Sequence, residues 1–225
     1  MRMQPLGDSA IRIEVGQTIT MQTNRRIQDI YHLLKQRREF EEIVPTYTAV
    51  TVYYNPFSQT YDEIKRVIDM TLSTYKHARH IPHTRVHTIP VCYEETVAPD
   101  LLAVCETNKL TVEELINLHT KPVYFVYMLG FLPGFAYLGG LHKKLHTPRH
   151  SKPRSFIEAG SVGIAGGQTG IYPVTSPGGW NIIGRTPTSL LKSDEHPPVL
   201  LRAFDCIKFR SISLAQFERE VNSHD

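Results

Sequence analysis

The 225-residue sequence predicts an α+β protein: a small N-terminal α/β two-layer domain over residues 1–83, then a second domain of short strands over residues 84–225. Three observations predict it. Twelve of the fourteen glycines lie within residues 130–184, and none lies between 17 and 129, so the chain carries two different kinds of segment. The first ~90 residues alternate strand-like and helix-like periodicity in a βαβαβ order, which fits a small two-layer domain. Beyond Gly130, short β-type runs alternate with Gly and Pro turns, the pattern of a barrel or a sandwich.

The elements follow in order. Ser9–Val15 alternates apolar and polar residues as a strand does. Residues 20–38 place Ile27, Ile30, Tyr31 and Leu34 at helical spacing, with Arg25, Arg26, Lys35, Arg37 and Arg38 on the other face. Thr46–Tyr54 is rich in β-branched and aromatic residues and is ended by Asn55-Pro56. Residues 59–79 form a second amphipathic helix, N-capped by Ser58 or Thr60, and Thr84–Cys92 returns as a strand. Two short helices follow, near Pro99–Thr107 and at Thr111–His119, the latter opened by a T-x-x-E capping box of Thr111 and Glu114. The remaining predicted strands are Tyr124–Leu129, Ser155–Ala159, Val162–Ala165, Ile171–Val174, Trp180–Ile183, Val199–Ala203 and Cys206–Arg210.

Composition excludes several classes. Hydrophobic residues at 41% and charged residues at 21% are globular values. No apolar run approaches the roughly 18–20 residues of a membrane span, and the first residues carry no signal-peptide core. Three cysteines, Cys92, Cys105 and Cys206, suit reduced thiols in a cytoplasm better than a disulfide framework. A net charge of +3 is too weak to imply nucleic acid.

Charge is nevertheless uneven. From Leu115 to Ser193 the only acidic residue is Glu158, against Lys121, Lys143, Lys144, Arg149, Lys152, Arg154, Arg185 and Lys192. A positive field over a Gly-rich stretch favours an anionic ligand. Arg149 and Arg154 are the first candidates, because a guanidinium grips a carboxylate or phosphate through two donors. The alternative is a solvated basic face.

The run Gly160–Gly170 is neither a Walker A loop nor a Rossmann fingerprint. Its glycines suit tight bends or close backbone approach, with Gln168 and Thr169 held on a stiff loop. Trp180, at the end of Ser176-Pro-Gly-Gly-Trp, is either core or a stacking wall for a ring-shaped ligand. Histidines cluster at 77, 80, 83 and 87 and at 142, 146 and 150. Pro82 and Pro148 break any helix that would present them together, so no metal site is expected. No G-x-S-x-G elbow occurs.

One ordered set of motifs extends over most of the chain. It comprises Ile89–Tyr93, Pro99-Asp100, Tyr127–Gly140, Thr147–Arg149, Pro153-Arg154, Ala159–Pro173, Ser176–Trp180 and Ile183–Pro187. It resembles the allophanate hydrolase subunit 1 family, whose members include the B subunit of 5-oxoprolinase and the sporulation-kinase inhibitor KipI. The resemblance implies a C-terminal cyclophilin-like β-barrel. It also implies ATP-dependent opening of 5-oxo-L-proline to L-glutamate, with ATP and Mg held by a complex. The partners it implies are the C subunit of 5-oxoprolinase (allophanate hydrolase subunit 2 type) and a third subunit, and the chain is inactive alone. Carried onto this sequence, it implies that Arg149 and Arg154 bind anionic groups and that Gln168 and Thr169 orient substrate. Phe131, Phe135 and Trp180 line the pocket, with Ser161, Tyr172 and Ser176 among the substrate-binding positions. Gly167 stands where many relatives carry serine, which removes a hydroxyl. The alternative role within the resemblance is a KipI-like inhibitor of a sensor histidine kinase, which would need a docking surface rather than catalytic groups.

Overall fold

The computed structural model describes residues 1–75, 85–192, 196 and 198–223. The chain divides into two compact units, Met1–His83 and Thr84–Asp225.

The first unit holds β1 (Arg2–Pro5), β2 (Ala10–Glu14), α1 (Met21–Lys35), β3 (Glu42–Pro45), β4 (Ala49–Tyr53) and α2 (Tyr61–Ser73). Its sheet runs β1-β2-β4-β3, antiparallel throughout. Thr20 caps α1 by accepting from the Thr23 N–H. Thr60 and Glu63 close a capping box on α2, which selects Thr60 over Ser58 as the cap. Ile27, Ile30 and Leu34 of α1 and Ile64 and Ile68 of α2 are fully buried together with Ile11, Ile13, Val50 and Val52 of the sheet. β1 and β3 lie outside the sequence reading: each is a four-residue edge strand ending in proline, too short and too exposed to show alternation. Residues 76–79 of the expected second helix lie outside the described residues.

The second unit begins with β5 (Val86–Cys92) and continues through α3 (Leu101–Asn108), α4 (Val112–Thr120), β6 (Tyr124–Leu129) and β7 (Ala136–Gly139). Then come β8 (Arg154–Ile157), β9 (Ser161–Ala165), β10 (Gln168–Ile171), β11 (Ser176–Gly178), β12 (Asn181–Arg185), β13 (Cys206–Ile212) and α5 (Leu214–Asn222). Seven of these strands close into a barrel in the order β10-β7-β6-β13-β5-β12-β9. That decides between barrel and sandwich. Closure leaves no free edge. β8 and β11 form a separate two-stranded ribbon.

Three expectations are corrected here. The strand at 84–92 is not the last strand of a βαβαβ unit: β5 pairs in parallel with β13 from Val86↔Cys206 to Cys92↔Ile212, inside the barrel. Val199–Ala203 is no strand, only an isolated bridge from Val199 to Leu191. The strand expected at Ile171–Val174 lies earlier, at β10.

The barrel interior is filled by side chains, Ile89, Val91, Tyr124, Val126, Leu138, Val162, Ile164, Ile171, Ile183, Ile207 and Phe209 among them. It is a packed core, so functional groups must lie on its outside or at its ends.

Candidate functional site

An aromatic corner forms on the second unit where the β6–β7 turn meets Tyr172, which follows β10, and Trp180, which precedes β12. Phe135 N–H donates to Leu132 O (3.0 Å) and Gly130 N–H to Phe135 O (3.2 Å), closing the turn. Phe131 sits in that turn at φ +71° with its side chain 61% exposed. A bulky residue in the left-handed region and mostly in solvent carries backbone strain, a combination that concentrates at functional positions. Phe135 is buried at the centre, edge-on to Tyr172 (5.2 Å), Trp180 (5.5 Å), Tyr137 (4.9 Å) and Phe131 (5.6 Å). Gly178 makes room for this cluster, since a Cβ there would lie 2.3 Å from the Tyr172 hydroxyl.

Exposed Arg149 lies over the Trp180 ring at 5.8 Å. Its loop is tied down on both sides. Asn181 Nδ2 donates to Pro148 O (2.8 Å), His150 N–H to Gly179 O (2.8 Å) and Gly166 N–H to Thr147 O (2.7 Å). Burial pushes the Tyr172 phenol up, while a hydrogen bond from the Trp180 backbone and the charge of Arg149 pull it back. Among the described residues Arg149 makes no ion pair, so it is a positioned cation over a core ring: Trp180 is 5% exposed, which makes it core rather than a stacking wall. The corner therefore brings together Phe131, Phe135, Tyr172, Trp180 and Arg149.

Arg154 has a different situation. Its two terminal nitrogens fork onto Asp100, with Nη1 to Oδ2 at 2.7 Å and Nη2 to Oδ1 at 2.6 Å. His150 Nε2 lies 3.3 Å from the same carboxylate, and Ile182 N–H donates to it at 2.6 Å. Burial alone would raise the Asp100 carboxyl, but the hydrogen bonds from Arg154 and Ile182 outweigh it and hold it below the usual carboxylate range. The anion that Arg154 is expected to grip is thus supplied by the chain itself, and the node fixes the 147–154 loop that carries Arg149.

Thr169 is not at the site. It is fully buried, and its hydroxyl donates to Gly163 O (2.9 Å) while facing His119 Nε2 at 3.0 Å. The other ring nitrogen, Nδ1, meets the Tyr93 hydroxyl at 2.7 Å. Because the Thr169 proton is committed to Gly163, Nε2 carries the imidazole proton and Nδ1 accepts from Tyr93. We predict that Thr169→Val lowers stability by about 1–3 kcal/mol in urea unfolding, leaving Nε2–H without an acceptor, whereas Thr169→Ser costs less than half as much.

Ser161, Ser176 and Gln168 lie in strands next to the corner, Ser161 lining a cleft together with Arg154. Ser161 is buried in β9, its carbonyl accepting from Tyr172 N–H (2.9 Å). Ser176 is buried in the β8–β11 ribbon, its hydroxyl on Pro177 O (3.3 Å). Gln168 opens β10, half-buried, opposite Ala165.

Most of the glycine-rich run is taken up by packing, Gly166 at φ +57° being the exception with open space beside it. Gly160, at φ +83°, would place a Cβ 2.4 Å from Thr186 O, and one at Gly170 would lie 3.1 Å from Ala136 O.

No group of three His, Cys, Asp or Glu able to hold a metal occurs among the described residues. His77, His80 and His83 lie outside them. His146 covers Gly167, where a Cβ would come within 3.0 Å of its ring, and His87 pairs with Asp205 at 3.2 Å. No helix of the described residues is long and apolar enough to cross a membrane.

Asp100, Arg185 and His119 escape assignment from sequence. Asp100 and Arg185 stand inside the recognised motifs, but nothing local marks their partners. His119 gives no local signal beyond its place at the end of a short helix.

The family model for the carboxyltransferase domain, subdomain C and D, matches residues 1–201. The chain is 41% identical over 224 residues to the B subunit of 5-oxoprolinase from Bacillus subtilis, covering 94% of this chain and 93% of that one. The crystal structure of TTHA0988 is 32% identical with a TM-score of 0.80; the match covers 91% of this chain but spans only 40% of the length of TTHA0988. Kluyveromyces lactis urea carboxylase shares the fold, with a TM-score of 0.80 at 18% identity over 98% of this chain and 22% of that one. The chain therefore belongs to the family of carboxyltransferase domains, subdomain C and D, alongside proteins named as the B subunit of 5-oxoprolinase.

Proposed function

We propose that the chain is one component of an ATP-dependent 5-oxoprolinase. It works with the C subunit of 5-oxoprolinase and a third subunit to convert 5-oxo-L-proline to L-glutamate. The observation carrying this reading is the 41% identity to the Bacillus subtilis B subunit, which extends over 94% of the chain. A ring amide is a poor electrophile, so water attacks it only after its oxygen has been activated; ATP supplies that activation. Gly160 and Gly170 are crowded by backbone and Arg154 is neutralised by Asp100, so on this reading ATP and its Mg belong to the partner subunits. What this chain offers is exposed Arg149, held over the buried ring of Trp180, a cation suited to holding the carboxylate of the substrate.

The test is reconstitution. The chain, the C subunit and the third subunit together release glutamate and ADP from 5-oxo-L-proline, and omission of the chain abolishes release. Arg149→Ala is expected to lower turnover at least tenfold, with Arg149→Lys intermediate because it keeps charge but loses the fork. Full turnover without the chain overturns the reading. Unchanged turnover in Arg149→Ala overturns the assignment of that residue.

A further inference from the structure

A cleft of about 250 Å³ opens on the second unit, lined in part by Val97, Pro99, Arg154, Phe156, Glu158 and Arg185. Small-molecule sites span roughly 300–1,000 Å³, so this one suits a compact ligand. Its two guanidinium groups differ. Arg154 is held by Asp100, whose side chain is 5% exposed and also receives the Ile182 N–H, so that carboxylate is committed on both sides. Arg185 pairs with Glu158, whose side chain is 51% exposed. The Arg185 side is the fixed half of this pair: Nε donates to Ala159 O (3.0 Å) and the guanidinium lies over the Phe217 ring at 5.8 Å.

We propose that this cleft binds a small monocarboxylate with a compact apolar body, whose carboxylate takes the place of Glu158 on Arg185. An ion pair with one partner half in solvent contributes little, because water and salt compete for it. A ligand carboxylate restores the same charge-assisted hydrogen bonds and adds apolar burial against Val97, Pro99 and Phe156. Phe156 is 61% exposed, a large aromatic surface lining the same cleft as the guanidinium. The charge count sets the class: only one guanidinium has an exchangeable anion, so a single carboxylate is matched and a phosphate dianion is not. Glu158, the lone acid between Leu115 and Ser193, then serves as a resident counterion that keeps the cleft closed to weak anions. This inference does not depend on the 5-oxoprolinase reading.

The test uses the full chain, with benzoate as probe and benzamide as its uncharged isostere, followed by amide chemical shifts and calorimetry. Benzoate is expected to shift the amides of Glu158, Ser161, Ile182 and Arg185 and to bind at least tenfold more tightly than benzamide. Glu158→Gln removes the competing anion at a half-exposed position and is expected to tighten benzoate at least twofold. Arg185→Gln is expected to weaken it at least tenfold, and the Glu158 variant keeps the test decisive should the Arg185 variant fold poorly. Equal binding of benzoate and benzamide, shifts confined elsewhere, or a gain below twofold in Glu158→Gln each overturns the proposal.

Discussion

Asp100→Ala is expected to lower the unfolding free energy by about 3–5 kcal/mol, the usual cost of removing one member of a buried ion pair. The carboxylate is one side of a four-way junction: the Arg154 fork, His150 Nε2 and the Ile182 N–H all converge on it. Alanine leaves an N–H of the barrel wall without an acceptor and a part-buried guanidinium without a counter-charge. The Arg154 side chain is 35% exposed, so water recovers part of the loss and the lower end of the range is the better expectation. Asp100→Asn keeps the shape but turns an NH2 toward donors, so it is expected to recover less than half of the deficit. The pH dependence has a definite sign. The folded-state pKa of Asp100 is depressed, so its contribution is complete above the unfolded value of roughly 4 and is lost as pH falls through the lower folded value. The gap between wild type and Asp100→Ala in urea unfolding should therefore be constant at neutral pH and narrow below about pH 4. A gap that stays constant down to pH 3, or one under about 1 kcal/mol at pH 7, removes the junction from the list of stabilising features.

Local chemistry predicts local structure well here. The T-x-x-E box at Thr111–Glu114 and the cap at Thr60 are both present, because capping is decided within four residues. Short strands and tight bends of the glycine-rich half can be read from composition, which leaves barrel and sandwich open; the ladder order closes it into a barrel. Long-range pairing is different. In the sequence Arg154 is a free anion gripper, but its carboxylate lies 54 positions earlier, a separation that no spacing rule reports. Thr169 reads as a polar group on a loop, yet it opens into the core because β10 starts at Gln168 and directs the next residue inward, opposite Ile164. The strand at 84–92 groups with its sequence neighbours by periodicity, whereas its actual partner, β13, comes more than a hundred residues later. The meeting of Phe131, Phe135, Tyr172 and Trp180 is not a matter of spacing either: only the motif resemblance groups them, and the structure places their rings together.

His119 makes the second large prediction: wild-type stability should fall as pH drops below about 6.5, with a slope near 1.4 kcal/mol per pH unit from this residue alone. The imidazole is fully buried, stacked on Phe209 at 4.6 Å, and pushed down by burial to a pKa of about 3. Both ring nitrogens are satisfied in the neutral form: Nε2–H donates to Thr169 and Nδ1 accepts from Tyr93. A second ring proton would turn Nδ1 into a donor, take away the acceptor of the buried Tyr93 O–H and leave a cation without water around it. Between pH 6.5 and about 3 the unfolded chain therefore binds a proton at this position that the folded chain refuses, so stability rises with pH across that window. His119→Gln supplies the comparison, since an amide has no such titration. Urea unfolding at pH 6.5, 5.5 and 4.5 should show the wild type losing about 2–3 kcal/mol relative to the variant over that range. Nitrogen shifts should report the Nε2–H tautomer without titration down to pH 4.5. A flat difference between the two proteins, or a ring that titrates near 6, would mean that water reaches the barrel interior at α4.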